Sequence, residues 1–124
     1  MNLSQGSIGE HEVLIDEWPS FIEAFVGEHK RLPAMIEIFS ASGRLIEARR
    51  GLLRSLTLDS KRHVQRAFVE LEEPVRGDIT HVIAYPVRIA IRQAEAQREL
   101  EITSAGGRRT VITLGSVLTQ DSLV

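Results

Sequence analysis

Large apolar side chains near the start of the chain recur at every third or fourth residue. Four of them stand at the spacing i, i+3, i+4 and i+7, namely Trp18, Phe21, Ile22 and Phe25. This spacing puts them on one stripe of a helix. Asp16 is a candidate N-cap, and Pro19 suits the first turn, where no backbone donor is needed. The pattern therefore predicts one helix that ends near residue 29, ahead of Pro33.

After Pro33 the apolar positions alternate with a period of two, and Gly or Pro interrupts them at short intervals. This pattern is typical of an antiparallel sheet. Gly51 predicts a bulge or bend between two strands, and a plain loop is favoured over a helical turn for 93–99. The pattern predicts a series of short strands, which begin with 34–40, 44–50, 52–58 and 64–71, continue through 79–92 as one strand or two broken at Tyr85-Pro86, and close with a hairpin through Gly106-Gly107.

These elements predict an α+β fold of one domain. We expect the N-terminal helix to pack on a strongly bent, five- to six-stranded antiparallel sheet. A small Sm-like or SH3-like barrel is the form in which such a sheet would best hide its edges. The predicted organisation is a flexible arm over 1–12, the globular domain over 13–115 and a C-terminal tail over 116–124. The arm is assigned because its residues are small, polar and aperiodic.

With these elements in place, the chain resembles a family of small bacterial proteins that form a domain of unknown function. The resemblance covers roughly residues 13 to 115 and departs from the family in the last turn, where Gly106-Gly107 replaces the more usual Asp-Gly. It implies no activity, substrate or partner. The motifs that carry it are Asp16-Glu17-Trp18 with Phe21, Phe25 and His29, Ile36-Glu37-Ile38 after Pro33, Thr80-His81-Val82-Ile83 with Pro86 and Val87, and Leu100-Glu101-Ile102 with Thr110-Val111.

Composition narrows the class of protein. The 124 residues are 43% apolar and 26% charged, close to ordinary globular usage. The absence of cysteine excludes disulfide frameworks, thiol nucleophiles and cysteine-ligated metals. No apolar run reaches the roughly 18 to 20 residues of a membrane helix, so we expect no membrane partner. Residues 1–10 have no basic residue and no apolar centre, so we expect no signal peptide and a cytoplasmic location.

Candidate catalytic groups are dispersed. The four histidines, His11, His29, His63 and His81, show no metal-ligand spacing. Asp59, Ser60 and His63 lie close together, but a triad is recognised by its geometry rather than by proximity in sequence. No nucleotide-binding or nucleophile-elbow motif occurs. We therefore expect a protein that is not an enzyme and that has no cofactor and no metal site.

Charge is distributed unevenly along the chain. The net charge of −2 is the sum of −5 over 1–40, +5 over 41–66 and −2 over 67–124. The basic segment supplies the candidate binding residues Arg44, Arg49, Arg50, Arg54, Arg62 and Arg66. If these arginines share a face, they form a phosphate-binding stripe. The alternative is that they pair internally with the acidic front of the chain, that is Glu10, Glu12, Asp16 and Glu17.

Two functional hypotheses follow. The first is a small interaction or regulatory domain that binds a protein partner or forms a homo-oligomer through an open strand edge. The second is a module that binds RNA or phosphate through the arginine-rich strands 41–66. The segment has no aromatic side chain on which RNA bases could stack, because no aromatic residue lies between Phe39 and Phe68.

Overall fold

The structure is a computed structural model that describes residues 9–59, 64–93 and 96–115. Strands hold 61% of the described residues. One 3₁₀ turn, Ile15–Glu17, leads directly into the helix α1, Trp18–His29. The strands are β1 Gly9–Val13, β2 Pro33–Phe39, β3 Leu45–Leu58, β4 Arg66–Glu72, β5 Ile79–Ala84, β6 Pro86–Gln93, β7 Gln97–Ser104 and β8 Arg109–Gly115.

The predicted helix is found, and its apolar stripe faces the core. Trp18, Ile22 and Phe25 are buried, as the spacing requires. The indole N–H of Trp18 donates to the carbonyl of Val13 at 3.0 Å, which ties the start of the helix to the end of β1. Asp16 is not the N-cap; it lies in the 3₁₀ turn, and no side chain caps the helix.

All eight strands belong to one antiparallel sheet in the order β1-β6-β7-β8-β2-β3-β4-β5. The first half of β3 pairs with β2 and its second half with β4, so β3 carries the chain from one half of the sheet to the other. The change of partner occurs around Gly51. A Cβ built on Gly51 would lie 2.6 Å from the carbonyl oxygen of Glu72, so no other residue fits there without a shift of the backbone.

The sheet folds over itself. Thr110 of β8 and His81 of β5 are four strands apart in the sheet order, yet the Thr110 Oγ1 and His81 Nε2 atoms are 3.5 Å apart. α1 contributes Trp18, Ile22 and Phe25 to the same apolar core. The fully buried side chains include Ile36, Leu53, Leu71, Ile89, Leu100, Ile102 and Ile112, which come from six of the eight strands.

Ion pairs cross the outer face of the larger half of the sheet. Arg92 of β6 contacts Glu99 at 2.7 Å and also contacts Glu101, whose side chain is only 7% exposed. Arg109 of β8 reaches the same Glu101 at 3.3 Å. A buried carboxylate is costly unless it is paired, so these two arginines are what allows Glu101 to lie there.

The same ion pairs hold β1 on the sheet. Residues 9–12, assigned from sequence to the flexible arm, lie in a strand that pairs with β6. Glu10 and Glu12 contact Arg88 at 3.0 and 3.2 Å, and Glu10 also contacts Arg92. The prediction of a flexible arm failed for two reasons. The run Glu-His-Glu-Val alternates charged rather than apolar side chains, and Arg88, which pairs with its glutamates, lies 76 or more residues away in the sequence.

The predicted fold class is wrong. The protein is mostly sheet with one short helix, and its sheet is a single open sheet of eight strands rather than a five- to six-stranded sheet or a closed barrel. One strand was missed, because β1 was read as an arm. β7 begins at Gln97, inside the predicted loop over 93–99. The break at Tyr85 is confirmed. The strands predicted over 44–50 and 52–58 are one continuous strand, β3, and its irregularity lies between Leu53 and Ser55 rather than at Gly51.

We predict that Gly51→Ala destabilises the protein by about 2 kcal/mol or more, because the new methyl would meet the Glu72 carbonyl. Gly27→Ala is the matched control: it lies in α1 with nothing within 4 Å of its added Cβ, and helix propensity favours Ala by about 1 kcal/mol. Urea unfolding measures both changes. Equal stabilities for the two variants would show that the close approach at Gly51 does not matter.

Candidate functional site

The free edge of β5 is the most distinctive surface of the sheet. The backbone N–H of Tyr85 donates to the Gln65 carbonyl at 2.7 Å, so this pair is hydrogen-bonded. Because bonded and non-bonded pairs alternate along an antiparallel ladder, Ile83 and His81 are bonded to β4 as well. The backbone groups of Thr80, Val82 and Ala84 therefore point away from β4. Within the described ranges, no other strand pairs with them.

The two edges of the sheet differ in how they are protected. β1 is five residues long and carries two glutamates that form ion pairs. β5 is Ile-Thr-His-Val-Ile-Ala, without Lys, Arg, Asp, Glu or Pro, and its pairing with β4 has no bulge. Charges, prolines and bulges are the usual means by which proteins prevent edge strands from pairing with other chains. β5 has none of them, and Val82 is 48% exposed.

Charged groups surround the inner face of β5 at His81. The imidazole is half-buried, and its Nε2 faces the Thr110 hydroxyl. Burial lowers the pKa of His81 below its ordinary value of 6.5; nearby Glu47 opposes the shift, while Arg108 and Arg49 add to it. His81 is therefore largely neutral at pH 7, in a surrounding that holds two guanidinium groups and one carboxylate.

Tyr85 closes one end of this edge. It is the single residue between β5 and β6, and it adopts a left-handed conformation with φ of 48°. Its carbonyl accepts from the N–H of Ala105 in the turn between β7 and β8. A left-handed conformation costs a non-glycine residue on the order of 1 kcal/mol, and such strain is concentrated at functional sites. The side chain is 60% exposed and so does not compensate for that cost by burial.

Among the described residues, the arginines proposed from sequence do not all face one side of the sheet. Arg49 faces the same side of the sheet as the buried Ile36, whereas the adjacent Arg50 pairs with Met35 and faces the opposite side. Arg54 pairs with Asp78, and Arg66 contacts Asp59 at 3.2 Å. Arg44 lies in the turn before β3, and Arg62 lies outside the described residues.

The ion pairs also test the alternative that these arginines pair with the acidic residues at the front of the chain. Arg49 pairs with Glu47 of its own strand at 2.6 Å. Glu10 and Glu12, the acidic residues proposed as partners, contact Arg88 and Arg92 of β6. Among the described residues, no ion pair joins the segment 41–66 to the N-terminal acids.

The histidines lie in separate places. His29 is buried at the end of α1, where its Nδ1 donates to the Phe25 carbonyl at 2.8 Å and its Nε2 faces Arg98. His11 lies on β1 and His81 on β5. Ser60 and His63 lie outside the described residues, so the Asp59–Ser60–His63 arrangement does too. No group of three potential metal ligands is found in the described part of the chain.

A second concave surface is more apolar. A groove of about 400 Å³ runs between α1 and the second half of β3, and Pro19, Ile22, Val26, Leu56 and Leu58 line it. Of the described residues that line it, Glu23 alone is charged. Nothing in the described residues indicates an occupant, whereas the β5 edge offers unpaired backbone groups and nearby charges.

Comparison with known proteins found no matching family model, no matching curated protein and no matching solved structure. In the described ranges, no helix has both the length and the apolar character that crossing a membrane requires.

Sequence reasoning singled out His81 and Arg49 separately but did not bring them together, and it missed Arg108 and the β5 edge. The uncharged run 79–84 was visible in the sequence. An uncharged strand is expected in the centre of a sheet as readily as at its edge. Only the strand order shows that β5 is the last strand.

We predict that His81 makes the stability of the protein depend on pH below neutrality. Because its pKa is lower in the folded protein than in the unfolded chain, its contribution is complete above pH 6.5 and is lost as the pH falls below 6.5. Urea unfolding of the wild type and of His81→Gln across this range measures it. The difference in unfolding free energy between the two proteins should change with pH, and a constant difference would contradict the assignment.

Proposed function

We propose that this protein is a small interaction module, and not an enzyme, that binds an extended segment of a partner protein along the free edge of β5. In this mode the segment adds a ninth strand to the sheet, and backbone hydrogen bonds provide the binding. The observation that carries the proposal is the set of outward N–H and C=O groups on Thr80, Val82 and Ala84, which form an uncharged edge without a bulge.

Two further observations support this edge over the other surfaces. Tyr85 keeps a strained backbone while its ring stays exposed at the end of β5, as expected of a residue retained for binding rather than for packing. The edge of β1, by contrast, carries the paired Glu10 and Glu12, and such charges discourage pairing with another strand.

The partner is proposed to be a different chain rather than a second copy. Antiparallel pairing of two β5 strands would bring the arginines around each His81 towards those of the other copy. Like charges placed across such an interface are destabilising. A homo-oligomer through the strand edge is therefore a distinguishable outcome of the experiment below, which sedimentation of the protein alone would reveal.

Backbone pairing alone would be weak. Three residues offer up to about six hydrogen bonds, each with a net contribution of roughly 0.5 to 1.5 kcal/mol. Association costs on the order of 4 to 15 kcal/mol in lost freedom. Side-chain contacts must therefore supply part of the affinity and all of the selectivity.

The cytoplasmic location and the resemblance to the bacterial domain family remain predictions from the sequence. Binding of RNA through the arginines of 41–66 is the other hypothesis from the sequence. Arg49 and Arg50 face opposite sides of the sheet, and Arg49, Arg54 and Arg66 each already contact a carboxylate, which does not favour it.

We predict that Val82→Pro abolishes peptide binding while the protein stays folded. The N–H of Val82 points away from β4, so proline removes a donor from the free edge without removing a bond of the sheet. The probe is a peptide selected on the intact protein from a random library displayed on phage. We expect its affinity to fall at least about tenfold in Val82→Pro, a loss of about 1.4 kcal/mol.

Val82→Thr is the matched control, because threonine keeps both the donor and a β-branched side chain. Its affinity should stay within about threefold of the wild type, and urea unfolding should show that both variants are folded. If no peptide is selected, or if a selected peptide binds Val82→Pro as tightly as the wild type, the β5 edge is not the binding site.

A further inference from the structure

We infer that the segment bound at β5 carries an acidic side chain opposite His81, and that Arg108 receives its carboxylate. This inference rests on the proposed function, because it places the acidic residue on the strand that β5 recruits. It goes beyond that function by naming the chemistry that selects the partner, an acidic extended peptide.

The register of the edge determines which side chain of the partner meets His81. The backbone groups of His81 are used by β4, so His81 and the residue opposite it on an added strand form a non-hydrogen-bonded pair. Side chains are closer in such pairs, with Cα atoms about 4.5 Å apart. Directly opposed residues share a face of the sheet. The partner's side chain at this position therefore enters the inner face beside His81.

Three charged groups act on His81, namely Glu47 and Arg49 from β3 and Arg108 from the turn between β7 and β8, and the carboxylate has the largest effect of the three. The register also places Glu47 near His81, because Glu47 and Thr110 both pair with Ile38 of β2 and the Thr110 Oγ1 lies 3.5 Å from the His81 Nε2. Glu47 already contacts the Nε of Arg49 at 2.6 Å. Arg108, an exposed residue, has no carboxylate within 4.0 Å among the described residues. A carboxylate on the partner would give Arg108 an ion-pair partner.

Two neighbouring turns carry or lead to the basic residues near His81. The turn that contains Gly107 lies against Ala41 of the turn between β2 and β3; a Cβ on Gly107 would be 2.9 Å from the Ala41 Cβ. The first of these turns carries Arg108, and the second leads through Arg44 into the strand of Arg49. The basic groups therefore come from two hairpins that the sheet holds side by side, which fixes them relative to β5.

The chemistry favours a peptide carboxylate over a nucleic-acid phosphate. An added strand carries its side chain directly to the inner face beside His81, whereas a phosphate backbone has no strand pairing that would take it there. Guanidinium groups bind both anions, so the distinction rests on the edge and must be tested there.

The experiment compares three synthetic peptides that alternate valine and threonine and differ only at the central residue, which is glutamate, glutamine or lysine. Binding to the full chain is measured by isothermal titration calorimetry. We expect the glutamate peptide to bind at least about tenfold more tightly than the glutamine peptide, and the lysine peptide to bind least. The preference for glutamate should increase as the pH falls, because protonated His81 adds a positive charge.

Arg108→Gln should remove the preference for glutamate while leaving the affinity for the glutamine peptide unchanged. Arg54→Gln is the matched control, since Arg54 is an arginine that already pairs with Asp78, and it should keep the preference. A different result is that the glutamate and glutamine peptides bind equally tightly and that Val82→Pro abolishes the binding of both. That result would overturn the acidic subsite and leave the proposed function standing.

The remaining outcomes are also decisive. If none of the three peptides binds and an oligouridylate binds with an affinity that Arg108→Gln reduces, the basic group serves RNA, and both the subsite and the edge proposal are wrong. If the protein alone sediments as a dimer that Val82→Pro dissociates, the edge is used by a second copy, and the acidic partner is wrong.

Discussion

The close approach of two strands at Gly51 is the constraint on which the rest of the structure depends. The carbonyl of Glu72 takes the space that a side chain would need, so β3 can leave β2 and pair with β4 within one continuous strand. β3 thereby joins the two halves of the sheet, and the second half lies over the first. The fold brings His81 of β5 against Thr110 of β8 and encloses the apolar side chains between the two halves and α1.

The two edge strands of the sheet, β1 and β5, differ in how well they are protected against pairing with another strand. Ion pairs from Glu10 and Glu12 to arginines of β6 hold β1 on the sheet. The charges also discourage another strand from pairing with β1. β5 ends the other side with an uncharged sequence and outward backbone groups. A protein that only needed to be stable and monomeric would gain from a charge or a proline on β5 and a glycine at Tyr85. The absence of these features on the described strand, together with the strained backbone at Tyr85, is the physical basis for placing function there.

The sequence predicted the elements that depend on local pattern. The helix over Trp18–His29 and the break at Tyr85 follow from apolar spacing and from proline. It did not predict β1, because the partners of Glu10 and Glu12 lie on β6, nor the open sheet of eight strands, because strand order is set by pairings far apart in the chain. The arginine-rich segment was visible as a run of charge. Alternation along β3 sends Arg49 and Arg50 to opposite faces, so a run in the sequence became two separate surfaces. Arg108 joins Arg49 near His81 only after the sheet has folded over.

The central claim is that a partner segment pairs with the free edge of β5. Amide hydrogen exchange of the full chain, with and without the glutamate-containing peptide, tests it most directly. We expect new protection at the amides of Thr80, Val82 and Ala84, whose N–H groups point away from β4, and little change at His81 and Ile83, which β4 already protects. Protection confined to the groove between α1 and β3, around Val26 and Leu58, with no change along β5, would contradict it.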